Sequence, residues 1–502
     1  MQEWADIAEP LEKRGAYTMA APNILIFMTD QQRGDTVLPE HPAVTPNLAT
    51  FAEQGVTFTE AFCPAPHCSP SRGTLHSGLY PTRCGVWNNV CNDQALTRGP
   101  KQGVRLCSED LADAGYRMLF SGKWHVSVEE SPRDKGWQEL CVGGHRAGGP
   151  TWDLYRDLAA QSEPTDRRDG EILRPGYPPY RLYGAGSETS FIKQDETALG
   201  HALDALPQLA KGNDPWVLFV GVVGPHDPYI VPKEFIDLYS LDDVPLPPTF
   251  GDDMADKPRI YQRLRQQIWG QLTEREVRDA IRHYWAYCSY LDDMFGKLLR
   301  ALDETGAAEN TLVAYCSDHG DYCGDHGLFC KGIPCFRGAY HVPAVLRWPA
   351  GIENPGRRVD GFVSLADFAP TFIELAALEV DRDFSGASLA PFLRGDTPTD
   401  WRDEIHAQCN GVELYYTQRW VMTKQFKYVF NGFDFDELYD LHADPDEMTN
   451  LSEQSAYAEI KRDLVRRMWR FACRENDTVI NDYITVGLTP YGPAEAFREG
   501  MP

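Results

Sequence analysis

Three short, nearly continuous apolar runs constrain the fold of this chain more than any other feature of its sequence. They cover residues 23–29, 216–223 and 311–316. Apolar runs that end abruptly in polar residues are typical of strands buried on both faces of a parallel sheet. Helical patterns over 46–54, 108–114, 195–209 and 274–304 lie along the chain with these runs. Alternating strands and helices predict an α/β fold.

Each apolar run is followed at once by polar side chains that can do chemistry. These are Asp30 and Gln31, His226 and Asp227, and Asp318 and His319. In open α/β sheets, ligands bind beyond the carboxyl ends of the strands. We therefore expect the three strand ends to converge on one site.

The pattern changes after a helical segment at 365–378. Residues 419–422 and 427–430 predict strands of a small antiparallel sheet, and 456–473 predict a terminal helix. We divide the chain into a tail (1–20), a large α/β domain (21–385) and a smaller C-terminal domain (386–502). Two acidic, Pro- and Gly-rich stretches, 163–186 and 241–257, predict surface insertions of the kind that shape specificity.

The bulk composition argues against several classes of function. The formal charge of −26 disfavours a nucleic-acid-binding surface, which must be basic. No run is long and apolar enough for a membrane span, and residues 1–20 lack the apolar core of a signal peptide. Thirteen cysteines form no obvious framework and indicate reduced thiols in the cytoplasm.

The segment 67–78 combines Cys68, Pro70 and Arg72 at the start of a predicted helix. Free N–H groups and the helix dipole favour an anion there. Read alone, the segment also fits a buried cysteine before an ordinary Pro-initiated helix. It resembles the Cys-x-Pro-Ser-Arg signature of the sulfatases, whose cysteine is oxidised to Cα-formylglycine. The resemblance implies that Cys68 is the precursor of this aldehyde.

Carboxylate, carbonyl and imidazole groups at two strand ends are suitable ligands for a hard dication. Each pair alone is more often a loop or a helix cap. The sulfatase resemblance, which follows the family's order along the chain, implies a metal site with the ligands Asp30, Gln31, Cys68, Asp318 and His319. Many sulfatases carry Asp-Asp where this chain has Asp30-Gln31, and Gln31 resembles choline-sulfatase-like and phosphonate-monoester-hydrolase-like members. The resemblance implies Ca²⁺ first, with Mg²⁺ or Mn²⁺ as alternatives.

Basic and histidine residues complete the resemblance. Lys123 and His125 lie in a Gly-Lys-x-His segment, His226 in a Pro-His-x-Pro segment, and Lys331 in a Gly-x-His-Gly-x-x-x-Lys-like run. With Arg72, the two lysines would hold an anion. His226 would protonate the leaving group, and His125 would be the second acid–base group or an oxyanion donor. In isolation, each lysine fits a solvated surface, and His226 fits a loop histidine that contacts backbone carbonyls.

Together these residues imply an alkaline-phosphatase-like α/β core, a smaller C-terminal antiparallel sheet, and hydrolysis of a sulfate ester. The implied partners are a small organic or carbohydrate sulfate and a formylglycine-generating or maturase enzyme. The sequence leaves a homo-oligomer open. One alternative is a phosphonate monoester or phosphodiester hydrolase with the same fold, although that branch tends to lack Lys123 and His125. Another is a non-catalytic anion- or metal-binding protein with an unmodified Cys68.

Overall fold

The computed structural model describes most of the chain from residue 21 onward. The described residues are 21–92, 95–144, 152–161, 166–174, 177–412, 414–478, 481, 488 and 490–498. The predicted tail, residues 1–20, lies outside them.

The strands, in chain order, are β1 (Asn23–Asp30), β2 (Val56–Phe58), β3 (Ala61–Phe62), β4 (Arg117–Lys123), β5 (Gln138–Gly143), β6 (Glu171–Arg174), β7 (Tyr177–Arg181), β8 (Tyr183–Ala185), β9 (Trp216–Pro225), β10 (Tyr229–Val231), β11 (Thr311–Ser317), β12 (Ala344–Arg347), β13 (Arg357–Val359), β14 (Val363–Ser364), β15 (Glu404–Cys409), β16 (Gln418–Thr423), β17 (Phe426–Asn431) and β18 (Glu437–Asp440). The α-helices are α1 (Pro46–Glu53), α2 (Cys68–Ser77), α3 (Pro81–Cys84), α4 (Cys107–Asp113), α5 (Trp152–Gln161), α6 (Ser190–Ala210), α7 (Lys233–Ile236), α8 (Arg259–Arg263), α9 (Glu274–Glu304), α10 (Arg337–Tyr340), α11 (Phe368–Leu375), α12 (Ala390–Leu393) and α13 (Ala458–Arg474).

The centre of the described fold is a mostly parallel sheet in the order β13-β2-β12-β11-β1-β9-β4-β5. Only β12 runs antiparallel to its neighbours β11 and β2. The side chains of β1 alternate between two cores. Ile24, Ile26 and Met28 pack on the side of α2, α4 and α11, whereas Leu25 and Phe27 pack on the side of α6 and α9. This two-sided burial explains the continuous apolar run and confirms the predicted α/β class.

The predicted strands are confirmed, and the three apolar ones extend further towards the site, β1 by one residue to Asp30. β9 runs to Pro225 and β11 to Ser317. Strand β4 likewise continues through Lys123. Lys123 is therefore the last residue of a strand and not part of a following loop, because β4 stays paired with both β5 and β9 as far as Gly122.

The predicted helices are confirmed with small changes at their ends. The long helix spans Glu274–Glu304 as expected, and a Thr273 capping box starts it. Helix α6 begins at Ser190, five residues before the predicted 195, because the Thr189 side chain accepts a hydrogen bond from the Ile192 N–H.

The second sheet is antiparallel, in the order β15-β16-β17-β18. Helix α13 packs Leu464 and Trp469 against Val421 and Phe430 of this sheet. The smaller C-terminal sheet with a helix is thus confirmed, and the domain boundary near residue 385 stays a prediction. Within the described part of the chain, no helix combines the length and apolar character needed to cross a membrane.

Candidate active site

Three neighbouring strands deliver the polar residues that the sequence singled out. β1 lies between β11 and β9 and pairs in parallel with both. Asp30 ends β1, Asp318 follows β11, and His226 follows β9. The predicted convergence of these strand ends is confirmed.

A compact group of possible metal ligands lies at this edge of the sheet. One ligand atom each of Asp30, Cys68, Asp318 and His319 lies within 4.8 Å of the others, and all four residues are buried. The Cys68 Sγ is 3.4 Å from His319 Nε2 and 3.7 Å from Asp30 Oδ1. His319 Nδ1 lies 2.9 Å from the Gly320 carbonyl oxygen, to which it donates. Nε2 therefore keeps its lone pair for the centre of the group.

Two cations hold the outer oxygens of the two aspartates. Arg72 donates from Nε to Asp318 Oδ2 at 2.8 Å and from Nη2 to Asp30 Oδ2 at 3.1 Å. Its Nη1 donates to the Lys123 carbonyl at 2.9 Å, and Lys123 Nζ lies 2.5 Å from Asp30 Oδ2. The side chain of Arg72 is fully buried, so its contacts make it a positioning residue for the two carboxylates.

These charges shift the acidity of the buried groups. Burial and Cys68 disfavour ionised Asp30, but Lys123 and the other cations hold the pKa of Asp30 well below its usual range. Burial and the charge of Asp30 raise the pKa of Asp318 to about 6. Burial also disfavours a Cys68 thiolate, yet Lys123 and Lys331 bring the pKa of this thiol well below its usual range. Position 68 is thus prepared for negative charge.

This donor set fits a hard divalent cation. Two carboxylates and one imidazole surround the Sγ of Cys68. The side chain of Gln31 lies beside the group, and its Oε1 is 2.5 Å from Lys331 Nζ. Its role as a ligand stays a prediction.

The more open side of the site is formed by His226 and Asp227, whose side chains are 23% and 17% exposed. Lys331 Nζ donates to His226 Nε2 at 2.8 Å, and His226 Nδ1 lies 2.7 Å from the Asp227 carbonyl oxygen. Burial and Lys331 oppose the charged imidazolium, but Asp227 and further anionic groups raise the pKa of His226. Phe191 packs edge-on against this ring, with 5.8 Å between the ring centroids.

His125 interacts with Cys68 as well. It has a left-handed backbone conformation (φ 54°), and its buried Nδ1 has no hydrogen-bond partner among the described residues. Burial lowers the pKa of His125, although an interaction with Cys68 opposes this shift. A neutral imidazole next to residue 68 can accept a proton.

Two residues at the site, Asp321 and Tyr180, were missed by the sequence prediction. Asp321, three positions after Asp318, accepts a hydrogen bond from Gln31 Nε2 at 2.5 Å. Tyr180, in the predicted 163–186 insertion, donates to Asp227. Asp321 lies between the Asp318-His319 pair and the run that carries Lys331, so its position was a usable signal. Tyr180 carries no such signal.

Comparisons with known proteins agree with this geometry. A family model described as Sulfatase matches residues 22–378, and one described as N-sulphoglucosamine sulphohydrolase, C-terminal, matches residues 324–474. The choline-sulfatase of Rhizobium meliloti (strain 1021) is 32% identical over 87% of this chain and 83% of its own length. The uncharacterized sulfatase YidJ of Escherichia coli (strain K12) is 29% identical over 88% and 85%. The crystal structure of a phosphonate monoester hydrolase of Agrobacterium radiobacter superposes with a TM-score of 0.72 at 24% identity, over 90% of this chain and 96% of that one. The last likeness shows the fold.

Proposed function

We propose that this chain, which belongs to the sulfatase family of the alkaline phosphatase superfamily and hydrolyses sulfate esters, does so with Cα-formylglycine at position 68 and one divalent metal ion. The observation that carries this proposal is the position of Cys68. Its buried Sγ, at the first residue of α2, lies within 3.4–3.7 Å of His319, Asp30 and Lys123. Hydrated formylglycine there would have one hydroxyl among the metal ligands and a second on the same carbon.

Asp30, Gln31, Asp318 and His319 would hold the ion together with residue 68. Ca²⁺ is the first choice, and Mg²⁺ and Mn²⁺ are alternatives. When bound, the ion would lower the pKa of a hydroxyl on residue 68 and so provide a nucleophile at neutral pH. Arg72 keeps Asp30 and Asp318 aligned for this role.

Lys123 and Lys331 would bind the sulfuryl oxygens, since both reach the surroundings of residue 68 and carry positive charge. Once Lys331 turns to the sulfate, His226 Nε2 is free to take up a proton from solvent, which the raised pKa of His226 favours, and to face the leaving oxygen. As the new oxygen–sulfur bond forms, the bond from sulfur to the leaving oxygen breaks, and His226 donates its proton to that oxygen. His125 then takes the proton of the second hydroxyl, the bond between residue 68 and sulfate breaks, and the aldehyde returns.

A phosphonate monoester or phosphodiester is the second candidate substrate. Asp30-Gln31 and Asp318-His319 are compatible with it, because these pairs resemble that branch, although Gln31 resembles choline-sulfatase-like members equally. Lys123 and His125 favour sulfate. Turnover of aryl, choline and sugar sulfates should therefore exceed turnover of matched phosphonate and phosphate esters in one panel.

Mass spectrometry of the Cys68 peptide from active enzyme tests the nucleophile. We expect the aldehyde or its hydrate, and a fully active preparation with unconverted cysteine would contradict the mechanism. Metal analysis of the same preparation should find one divalent ion per chain, and chelation should abolish turnover until the ion is returned.

We also propose a substrate class, a converting enzyme and a location for this chain. The substrate would be a small organic or carbohydrate sulfate, and conversion of Cys68 would require a formylglycine-generating or maturase enzyme. A cytoplasmic location rests on the cysteine content, since all thirteen cysteines are free thiols. Sedimentation of the purified chain would decide whether it forms a homo-oligomer.

A further inference from the structure

Every polar atom of Gln31 has a fixed partner. The residue is fully buried and has a left-handed backbone (φ 70°), which is costly for a residue other than glycine. Its N–H donates to Asp318 Oδ1 at 3.1 Å, and its carbonyl accepts from the Tyr284 hydroxyl at 2.7 Å. Such a strained position persists only when its surroundings impose it.

The side-chain amide of Gln31 is held between anions and a cation. Nε2 donates to Asp321 Oδ2 at 2.5 Å and to Asp227 Oδ1 at 3.1 Å, and Oε1 accepts from Lys331 Nζ at 2.5 Å. Ionised carboxylates only accept hydrogen bonds, and an ammonium group only donates them. The amide therefore satisfies all three neighbours in one of its two orientations, with its oxygen facing the cation.

Asp321 is anchored independently of Gln31. Its Oδ1 accepts the N–H groups of Cys323 and Cys330 at 2.7 and 3.0 Å, and its Oδ2 also accepts the Tyr229 hydroxyl at 2.6 Å. The carboxylate is buried. It is therefore fixed in space by the backbone of two chain segments, and it presents an acceptor to Gln31.

We propose that Asp321 is a positioning residue that orients the Gln31 amide, so that the amide oxygen faces Lys331 and the divalent ion. The inference rests on the proposed metal site. It also gives a physical reason for glutamine at position 31, where an acidic side chain would face the carboxylates of Asp321 and Asp227.

Asp321→Asn keeps the size and shape of the side chain at position 321 but changes which atom of the Gln31 amide it can bind. The N–H groups of Cys323 and Cys330 would still require an acceptor, so the asparagine oxygen would stay with them and its NH₂ group would face Gln31. The Gln31 amide would then have to turn its oxygen to residue 321 and its NH₂ group to Lys331. A glutamate at position 31 could accept from that asparagine while keeping an oxygen for the cations.

The test measures metal affinity by calorimetry on chelator-treated protein, with Ca²⁺ and Mn²⁺ as separate titrants and no ester present. Partners behind metal ligands are typically worth about 10–100-fold in affinity, and we expect that loss for Asp321→Asn. Tyr229→Phe removes the other hydrogen bond to Oδ2 without changing what Gln31 meets, so it should lose far less. The double variant Gln31→Glu/Asp321→Asn should bind more tightly than either single variant.

The outcomes distinguish the inference from the proposed function. A wild-type chain that binds no divalent ion would overturn the metal site itself. Wild-type affinity in Asp321→Asn, with the ion still bound, would overturn only the orienting role of Asp321. If Asp321→Asn does not fold, Gln31→Glu alone decides the question. The added negative charge of Gln31→Glu would by itself tighten metal binding. If Asp321 orients residue 31, its carboxylate repels the new glutamate, and we expect weaker metal binding than in the wild type. Tighter binding would overturn the orienting role of Asp321.

Discussion

At the scale of single residues, the side chain at position 68 must carry negative charge when it attacks sulfur, and Lys123 and Lys331 stabilise that charge. Replacing Cys68 by alanine should abolish sulfate-ester hydrolysis and leave the fold intact, because only the nucleophile is lost. Cys68→Ser should allow a single covalent turnover, since one hydroxyl can attack but cannot support elimination. Burst kinetics and intact-mass measurements would detect the trapped sulfate. Near wild-type turnover in Cys68→Ala would refute the assignment.

The roles of His226 and the two lysines predict different dependences on the leaving group. His226→Ala should slow alkyl and sugar sulfates by about 10²–10⁴-fold and activated aryl sulfates far less, because a phenolate leaves without protonation. Lys123→Ala and Lys331→Ala should slow all esters alike, since they hold oxygens common to every substrate. A plot of log(kcat/KM) against leaving-group pKa measures this. Equal losses for His226→Ala across the series would assign the proton to another residue.

The sequence predicted much of this site because strand ends of a parallel sheet meet at one edge. Asp30, Asp318 and His226 could be placed together on that rule, before any family resemblance. The strand-end rule could not predict contacts that depend on the path of an insertion. Tyr180 reaches Asp227 from a loop whose path has no periodicity, and the partners of the Gln31 amide depend on ångström-scale orientation.

At the scale of elements, the ends of β4 and β9 approach more closely than side chains allow. A Cβ on Gly122 would lie 1.9 Å from the Gly221 carbonyl oxygen, and Gly122 has φ 113°. This contact fixes the strand end that carries Lys123. The strand length to Lys123 could not be predicted, because glycine in a strand pattern equally signals a break.

Gly122→Ala should therefore destabilise the protein and reduce turnover. Gly103→Ala is the matched control, since Gly103 also has a positive φ (86°) but has no atom within 4 Å of the added Cβ. For the control Gly103→Ala we expect the free energy of unfolding to fall by about 1–2 kcal/mol, because of the positive φ alone. For Gly122→Ala we expect a clearly larger fall. Urea unfolding measures both variants. Equal free-energy losses would mean that the close approach to Gly221 does not matter.

A buried carboxylate of helix α6 holds the end of β9, directly before His226. Asp195 is fully buried and accepts the N–H groups of Val223 and Gly224 at 2.6 and 2.9 Å. Burial raises the pKa of Asp195 to about 7. Nothing in the sequence distinguishes this residue from the other acids of a helix, since its role appears only when α6 packs on β9.

A raised pKa in the folded state makes Asp195 a source of pH dependence. The unfolded chain releases this proton near pH 4, about the ordinary aspartate value, whereas the folded protein keeps it until about pH 7. The contribution of Asp195 to stability is therefore full below about pH 4 and is lost as pH rises to 7. Asp195→Asn cannot ionise at this position. Its free energy of unfolding should therefore fall less than that of the wild type between about pH 5 and about pH 8, on either side of the folded-state pKa of about 7. Parallel curves for the two proteins would show that Asp195 is already charged.

At the scale of the whole molecule, buried polar contacts join the second sheet to residues 335–337 of the large domain, beside an apolar core that both sheets share. Lys427 of β17 lies 2.5 Å from Glu447 Oε1 and also donates to the Cys335 carbonyl. Glu447 Oε2 accepts the N–H of Arg337, at the start of α10. The fold class and the small sheet could be predicted from periodicity, but this attachment could not, because its partners are far apart in sequence.

The Lys427–Glu447 pair should carry much of this attachment, since both side chains are only 3% exposed. Lys427→Met would leave Glu447 buried without its cation, and breaking a buried pair typically costs about 3–5 kcal/mol. Lys233→Met is the control, because the Lys233–Asp237 pair is 74% and 58% exposed and such surface pairs contribute at most about 1 kcal/mol. Adding Glu447→Gln to Lys427→Met should recover part of the loss, since the uncompensated charge disappears. Guanidinium unfolding of the four proteins measures these differences. A loss for Lys427→Met as small as that of the surface control would show that the pair does not hold the two sheets together.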